Sequence, residues 1–335
     1  MKLGPPTQEG MAPQEQSEDT RRKAKVFPYV FLAGVVLGIS AGPFLPPGVM
    51  SLVLDMMILF IFAMGYDLCL GYSAQCSLGH SLFFGVGAYG VILSVLHLNA
   101  GLWPALLIAL ALSFGFALFE GLIAVRLAEA YFVIMTAIFF SIFSLLALSM
   151  TWLTGGDDGL SVTIPPIHLG VASFSVYNPL VNYYLVLVFL VATYFLLRRI
   201  VHSPFGRVLL AIRENRERAG FLGYNVFRYK LAAFVLSAVV TGLSGALYAI
   251  RLRYGSADFF GFSWSIIPIV WALIGGMGTL IGPCLGVIIL SLFRYYISAF
   301  WSQYLIIVGV LIIVILRLSP KGIVGYVKSK RMSGG

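Results

Sequence analysis

The sequence predicts an all-α fold, a polytopic transmembrane helical bundle of about ten spans with broken or re-entrant glycine-rich segments. Three observations lead there. Hydrophobic residues make up 60% of the 335 positions and charged residues 10%, too little charge to cover the surface of a soluble domain of this length. Apolar runs of about 20 residues, the length of a membrane-crossing helix, recur from residue 27 onward. Lys and Arg gather at the ends of those runs, so the net charge of +9 reads as the positive-inside bias and not as a nucleic-acid footprint.

The elements follow in order. Residues 1–25 form a polar tail with Pro, Gln, Glu and Ser, expected to be disordered. The tail is too long and acidic before the first apolar run to be a secretory signal. It ends in Arg21-Arg22-Lys23-Ala24-Lys25, a basic cluster that places the N-terminus in the cytoplasm. The transmembrane domain is expected over 26–325, with spans near 27–46, 49–72, 78–98, 103–126, 130–152, 180–199, 230–252 and 299–318. The stretch 264–297 is too long for one comfortable span and is interrupted by Gly275-Gly276-Met277-Gly278 and Gly282-Pro283, so it reads as two short or broken elements. The tail 326–335 is basic, with Lys328, Lys330 and Arg331. Both termini then lie inside, which requires an even number of crossings. Loop 153–179 lacks Lys and Arg and carries Asp157 and Asp158, so it faces outside. Arg251 and Arg253 fall on the outer side in this count, against the rule. Gly85-Val-Gly-Ala-Tyr-Gly90-Val-Ile-Leu-Ser echoes Gly282-Pro-Cys-Leu-Gly286-Val-Ile-Ile-Leu-Ser, a hint of two related halves.

The loop 201–229 is the most informative segment. Ser203 suits a cap, Pro204 the first helical position and Gly223 the stop. Phe205, Val208, Leu209 and Ile212 repeat at i, i+3, i+4 and i+7, which makes an apolar stripe opposite Arg207, Arg213 and Arg216. A basic amphipathic helix between spans suits docking on a soluble partner, with the stripe buried in that contact; the alternative is a loop that holds lipid phosphates.

Candidate chemistry is sparse. No G-x-x-x-x-G-K-[ST] string occurs, and the glycine run at 275–282 lacks the phosphate-binding lysine, so any ATP hydrolysis belongs to a partner. Cys69, Cys76 and Cys284 read as small buried hydrophobes, and the four histidines share no ligand spacing; no metal and no cofactor are expected. Asp55, Asp67 and Glu120 are carboxylates within apolar runs, where charge usually faces a cavity or a partner. The segment from Gln75 to Tyr89 offers Gln75, Ser77, Ser81 and the small Gly79, Gly85 and Gly87. Such a segment can present backbone amides to a substrate carboxylate or simply pack closely. The glycines Gly275, Gly276, Gly278 and Gly282 mark a hinge or a tight crossing. His80 reads as a hydrogen-bonded packing residue, and Asp157-Asp158 as a solvated turn.

RENRERAGFLGYNVFRYKLAAF, with Arg213, Glu214, Asn215, Leu222, Gly223, Arg228, Tyr229 and Lys230, resembles the cytoplasmic loop and following span of branched-chain amino-acid ABC transporter permeases of the LivM type. Gly71-Tyr72 with Gln75, Ser77-Leu78-Gly79-His80 and Phe83-Phe84-Gly85 resemble another of that family's strings. Tyr131-Phe132 with Thr136, Thr154-Gly155-Gly156, the 275–282 run and Ser319-Pro320-Lys321-Gly322 extend the likeness over about residues 50–325. This chain has Asp67 where the family commonly has Asn, and Ala74 where it has Gly. The resemblance implies a permease subunit of an ATP-driven importer in the inner membrane of a prokaryote. It implies as partners a second homologous permease subunit, two cytoplasmic ABC ATPase subunits and an extracytoplasmic solute-binding protein. Asp67, Gln75, Ser77, Gly79, Tyr131 and Thr136 are then the expected pathway residues. Phe205, Arg207, Leu209, Ile212, Arg213, Glu214, Asn215 and Gly223 are the expected coupling residues. A permease for urea or another small polar solute remains open, as does an ion-coupled carrier using Asp55 or Asp67.

Overall fold

The structure is a computed structural model that describes residues 42–169, 172–297 and 309. The tail 1–25, residues 27–41 of the first expected span, all but residue 309 of the expected span 299–318, the Ser319–Gly322 string and the tail 326–335 lie outside the described residues. The chain divides after Pro46 into two units. Of the first, the described part holds a single 3-10 turn, Gly42–Phe44; the second contains every other described element.

Among the described residues, six helices are long and apolar enough to cross a membrane. They are α1 (Pro47–Asp67), continued by a π-helical turn Leu68–Tyr72, α2 (His80–Leu98), α3 (Leu102–Ala124), α4 (Glu129–Ser149), α6 (Pro179–Val201) and α9 (Val226–Leu252). A short turn α5 (Thr151–Thr154) and two small helices, α7 (Pro204–Glu214) and α8 (Arg216–Phe221), lie between them. The stretch expected to be two broken elements is a hairpin of shorter apolar helices, α10 (Phe262–Gly275) and α11 (Gly282–Ile297). This is a multi-pass membrane protein.

Small residues set the packing. α2 and α9 form the central pair, and both are mostly buried. They approach backbone to backbone: a Cβ on Gly87 would overlap the Gly242 carbonyl, and one on Gly245 would overlap the Phe84 carbonyl. Close backbone approach is how helices associate where lipid removes the hydrophobic drive between them. α3 packs across both, and α1 lies against α9, α6 and α11. The aromatic core includes Phe84 stacked on Trp264 with ring centroids 4.4 Å apart. His80 is fully buried among Tyr66, Phe83 and Phe234. Its Nε2 lies 2.8 Å from Ser237 Oγ, whose own proton goes to the Gly65 carbonyl at 2.7 Å. Of the two echoing strings, residues 85–94 lie inside α2 and residues 282–291 start α11.

The two ends of the bundle differ. One carries α7, α8, the 73–79 crossing and the turn 125–128, where the Arg126 guanidinium sits 5.4 Å over the Phe227 ring. The other carries residues 150–169 and 172–178. There β1 (Leu160–Ser161) pairs antiparallel with β4 (Tyr254–Gly255), and β2 (Ile167–Leu169) with β3 (Ala172–Phe174). Tyr254 donates to the Asp158 carbonyl at 2.9 Å. Both out-of-rule arginines are engaged at this end. Arg251 Nε approaches Asp55 Oδ1 to 3.0 Å off the hydrogen-bond axis, while its Nη2 donates to Asp55 Oδ2 at 3.1 Å and to Ser51 Oγ at 2.6 Å. Arg253 lies 4.7 Å over the Tyr177 ring.

Candidate functional site

At the loop-helix end, α1 closes in the π-turn, and Asp67 sits at its start with no exposed surface. Its Oδ1 accepts the N–H of Gly278 at 2.8 Å; its Oδ2 accepts those of Thr279 at 3.1 Å and Leu280 at 2.9 Å. These amides converge because Gly278 and Leu280 both have positive φ, +73° and +59°, which folds the backbone into an anion-binding nest. Thr279 closes the turn by donating to the Gly276 carbonyl at 3.0 Å and accepting from Gly282 N–H at 2.9 Å. Gly275 and Gly282 touch backbone to backbone, which leaves no room for a Cβ at Gly275. Asp67 therefore fastens the α10–α11 hairpin to α1, and the glycines form a tight crossing. Both carboxylates that an ion-coupled carrier would use, Asp55 and Asp67, are taken up by contacts within the bundle.

The loop helix reaches the same corner. Arg213, near the end of α7, donates to the Gly71 carbonyl in the π-turn, and its guanidinium lies beside Gly278. The apolar stripe faces inward. Leu209 has no exposed surface, and Val208 and Ile212 are buried with Ala219 against Val226 and Tyr229. Phe205 stacks on Tyr229 at 5.5 Å. This corrects the expectation that the stripe is buried in a partner: the bundle itself supplies more apolar surface than a charged loop would otherwise find. The expected single helix to Gly223 is also two. Asn215 leaves helical geometry at φ −157°, ψ 106° and caps α8 by accepting from Arg218 N–H at 2.8 Å. Gly223 ends α8 with φ +89°, as expected. Ser203 does not cap with its side chain; its Oγ donates back to the Ile200 carbonyl at 2.6 Å. Facing outward are Arg207, Glu214, Arg216 and Arg218 with Phe221, 91% exposed, and Leu222, 70% exposed.

Of the expected pathway residues, Gln75, Ser77, Gly79 and Thr136 come together at the non-helical crossing 73–79, all buried. Three of its amides are already occupied: Gln75 N–H donates to the Cys69 carbonyl at 3.0 Å, Leu78 N–H to Thr136 Oγ1 at 3.1 Å, and Gly79 N–H to Ser77 Oγ at 3.1 Å. The Gln75 carboxamide is held by Ser73 Oγ at 2.8 Å. Tyr131 stands apart, 66% exposed on α4. Gly79 is small because the Glu120 carboxylate and Thr136 crowd it. Glu120 is fully buried, and neither oxygen has a hydrogen-bond partner among the described residues.

A family model described as "Branched-chain amino acid transport system / permease component" matches residues 48–316. The chain belongs to this family. It is similar to the high-affinity branched-chain amino acid transport system permease protein LivM of Escherichia coli (strain K12), 29% identical over 88% of this chain and 74% of that one. It is 24% identical over 81% of its length to the probable LivM of Methanocaldococcus jannaschii, covering 80% of that protein. With LivH of Salmonella typhimurium it shares 25% identity over 79% of its length and 90% of that chain. No solved structure matches it.

Among the described residues no cluster of His, Cys, Asp or Glu could hold a metal ion. Sequence reasoning passed over Phe221 and matched Leu222 only as part of a motif, although two large apolar residues between an arginine-rich turn and a terminating glycine were a readable signal.

Proposed function

We propose that this permease is the membrane subunit of an ATP-driven importer for amino acids, branched-chain ones foremost. Its partners in this reading are a second homologous permease, two cytoplasmic ATPases and an extracytoplasmic solute-binding protein, in a prokaryotic inner membrane whose lipid surrounds the bundle. Both termini and loop 201–229 are cytoplasmic, loop 153–179 is outside, and the chain crosses about ten times. The substrate follows from what the relatives' names say they carry.

The observation that supports the coupling role is the bond from Arg213 to the π-turn beside Asp67. With its stripe buried in the bundle, the loop helix moves as one body with α9 when an ATPase pushes it. Arg213 carries that displacement to α1, and Asp67 carries it on to the α10–α11 hairpin. Packed elements with discrete arrangements convert such a push into alternate access. Phe221 and Leu222 are the apolar anchors for the ATPase, rimmed by arginines that steer the encounter.

The test is reconstitution with ABC ATPase subunits and a solute-binding protein of the same organism. Leucine uptake that requires ATP and the binding protein is the expected result. Uptake driven by an ion gradient without ATP, or uptake of urea in place of amino acids, would overturn the reading.

A further inference from the structure

A cavity of about 260 Å³ opens at the loop-helix end of the bundle and is not part of the coupling corner. Gln75 contributes to it from the crossing, Val125 from the end of α3, Glu129, Phe132 and Val133 from the start of α4, and Lys230 from the first turns of α9. Lys230 is 5% exposed and Gln75 3% exposed. The Lys230 ammonium forms no hydrogen bond or ion pair with the described residues. The Gln75 carboxamide is held at one end by Ser73, and its other end has no such partner among them. The Lys230 stem is buried while its ammonium opens onto the cavity, and Glu129 on the same lining is its acidic neighbour, so the cavity presents a cation and an anion beside an apolar wall.

We infer that this cavity is a substrate subsite for a small α-amino acid with an aliphatic side chain. Lys230 and the Gln75 carboxamide receive the carboxylate. Val125, Phe132 and Val133 form the wall for the aliphatic side chain, and Glu129 at the exposed rim receives the α-ammonium group. A phosphate that brings no cation of its own fits less well, because Glu129 repels it, and the apolar wall suits an aliphatic side chain better than a zwitterionic lipid headgroup. The inference rests on the proposed function, that the transported solute is an amino acid.

Cys76 lines the same cavity and is half-buried, whereas Cys69 and Cys284 are buried. It is therefore a native reporter. Burial raises the pKa of its thiol, so labelling with a small thiol reagent is run at alkaline pH on the full transporter in proteoliposomes, with the labelled peptide identified by mass. L-leucine at about ten times its half-saturating concentration for uptake is expected to slow Cys76 labelling about tenfold. L-leucinamide, which lacks the carboxylate, gives much weaker protection. Lys230→Met raises the protecting leucine concentration by roughly ten- to a hundredfold, the loss expected for one charge-assisted hydrogen bond. Val133→Trp, which fills the cavity and leaves Lys230 in place, abolishes protection. Leucine uptake with Cys76 labelled at an unchanged rate overturns the site alone. So does a phospholipid that Lys230→Met displaces while leucine protection stays the same. Proteoliposomes that carry no amino acid overturn the proposed function and the subsite with it.

Discussion

Replacing Asp67 by leucine removes the acceptor from three backbone N–H groups at once, those of Gly278, Thr279 and Leu280, at 2.8, 3.1 and 2.9 Å. Hydrogen bonds to a charged acceptor contribute about 1.5–3 kcal/mol each, neutral ones about 0.5–1.5. Asp67→Asn keeps one oxygen for Thr279 and Leu280 but turns an NH2 group toward the Gly278 amide. That weakens the corner by roughly 3 kcal/mol, and Asp67→Leu by about twice as much. The assay is hydrogen exchange over residues 275–285 of the purified permease, which reads local opening of the hairpin without requiring global unfolding. Asp67→Asn should speed exchange at 278–280 by roughly a hundredfold and Asp67→Leu by more, with leucine uptake falling in the same order. Unchanged exchange in Asp67→Leu would refute the fastening role. A changed solute preference with unchanged exchange would move Asp67 to the pathway.

Further outcomes follow from the same contacts. Phe221→Ala should reduce ATPase co-purification by roughly ten- to a hundredfold while the permease stays folded, since burying one large side chain contributes about 1.5–3 kcal/mol; full retention of the ATPase would remove Phe221 as an anchor. Leu209→Asp acts instead on the permease itself, because Leu209 is fully buried in its own bundle, and it should lower detergent stability even with no ATPase present. Gly87→Val should prevent α2 from seating on α9, seen as loss of the monodisperse peak in size-exclusion chromatography; a folded, active variant would contradict the backbone contact at Gly242. Cysteines at Ser161 and Glu217 should label from opposite faces of the membrane with an impermeant reagent, and labelling from one face would overturn the proposed orientation.

The spans were legible because each requirement is local. The expected 78–98 and 180–199 agree within two residues with His80–Leu98 and Pro179–Val201, since an apolar run of sufficient length leaves a helix little alternative in lipid. The break at 275–282 was legible for the same reason, being written in glycines. The direction of the loop stripe was not. Periodicity shows that Leu209 and Ile212 share a face but not which surface covers it, and the covering residue Tyr229 belongs to the next helix. The partner of Asp67 was equally hidden, because the nest at Gly278–Leu280 lies more than 200 residues away. Its form depends on a positive φ at Leu280, which composition does not announce.

The π-turn at Leu68–Tyr72 makes the connection to the loop helix a matter of chain length as well as side chains. A π-turn holds one residue more per turn than an α-helix. Deleting one residue there would restore ordinary winding and rotate everything beyond it by about 100°. The Gly71 carbonyl would then swing away from Arg213, and the crossing that carries Gln75 and Ser77 would turn with it. Register at this one turn is thus a setting on which coupling and path both depend. A one-residue deletion between Leu68 and Tyr72 could disconnect the permease from its motor while every contacting side chain remained in the sequence.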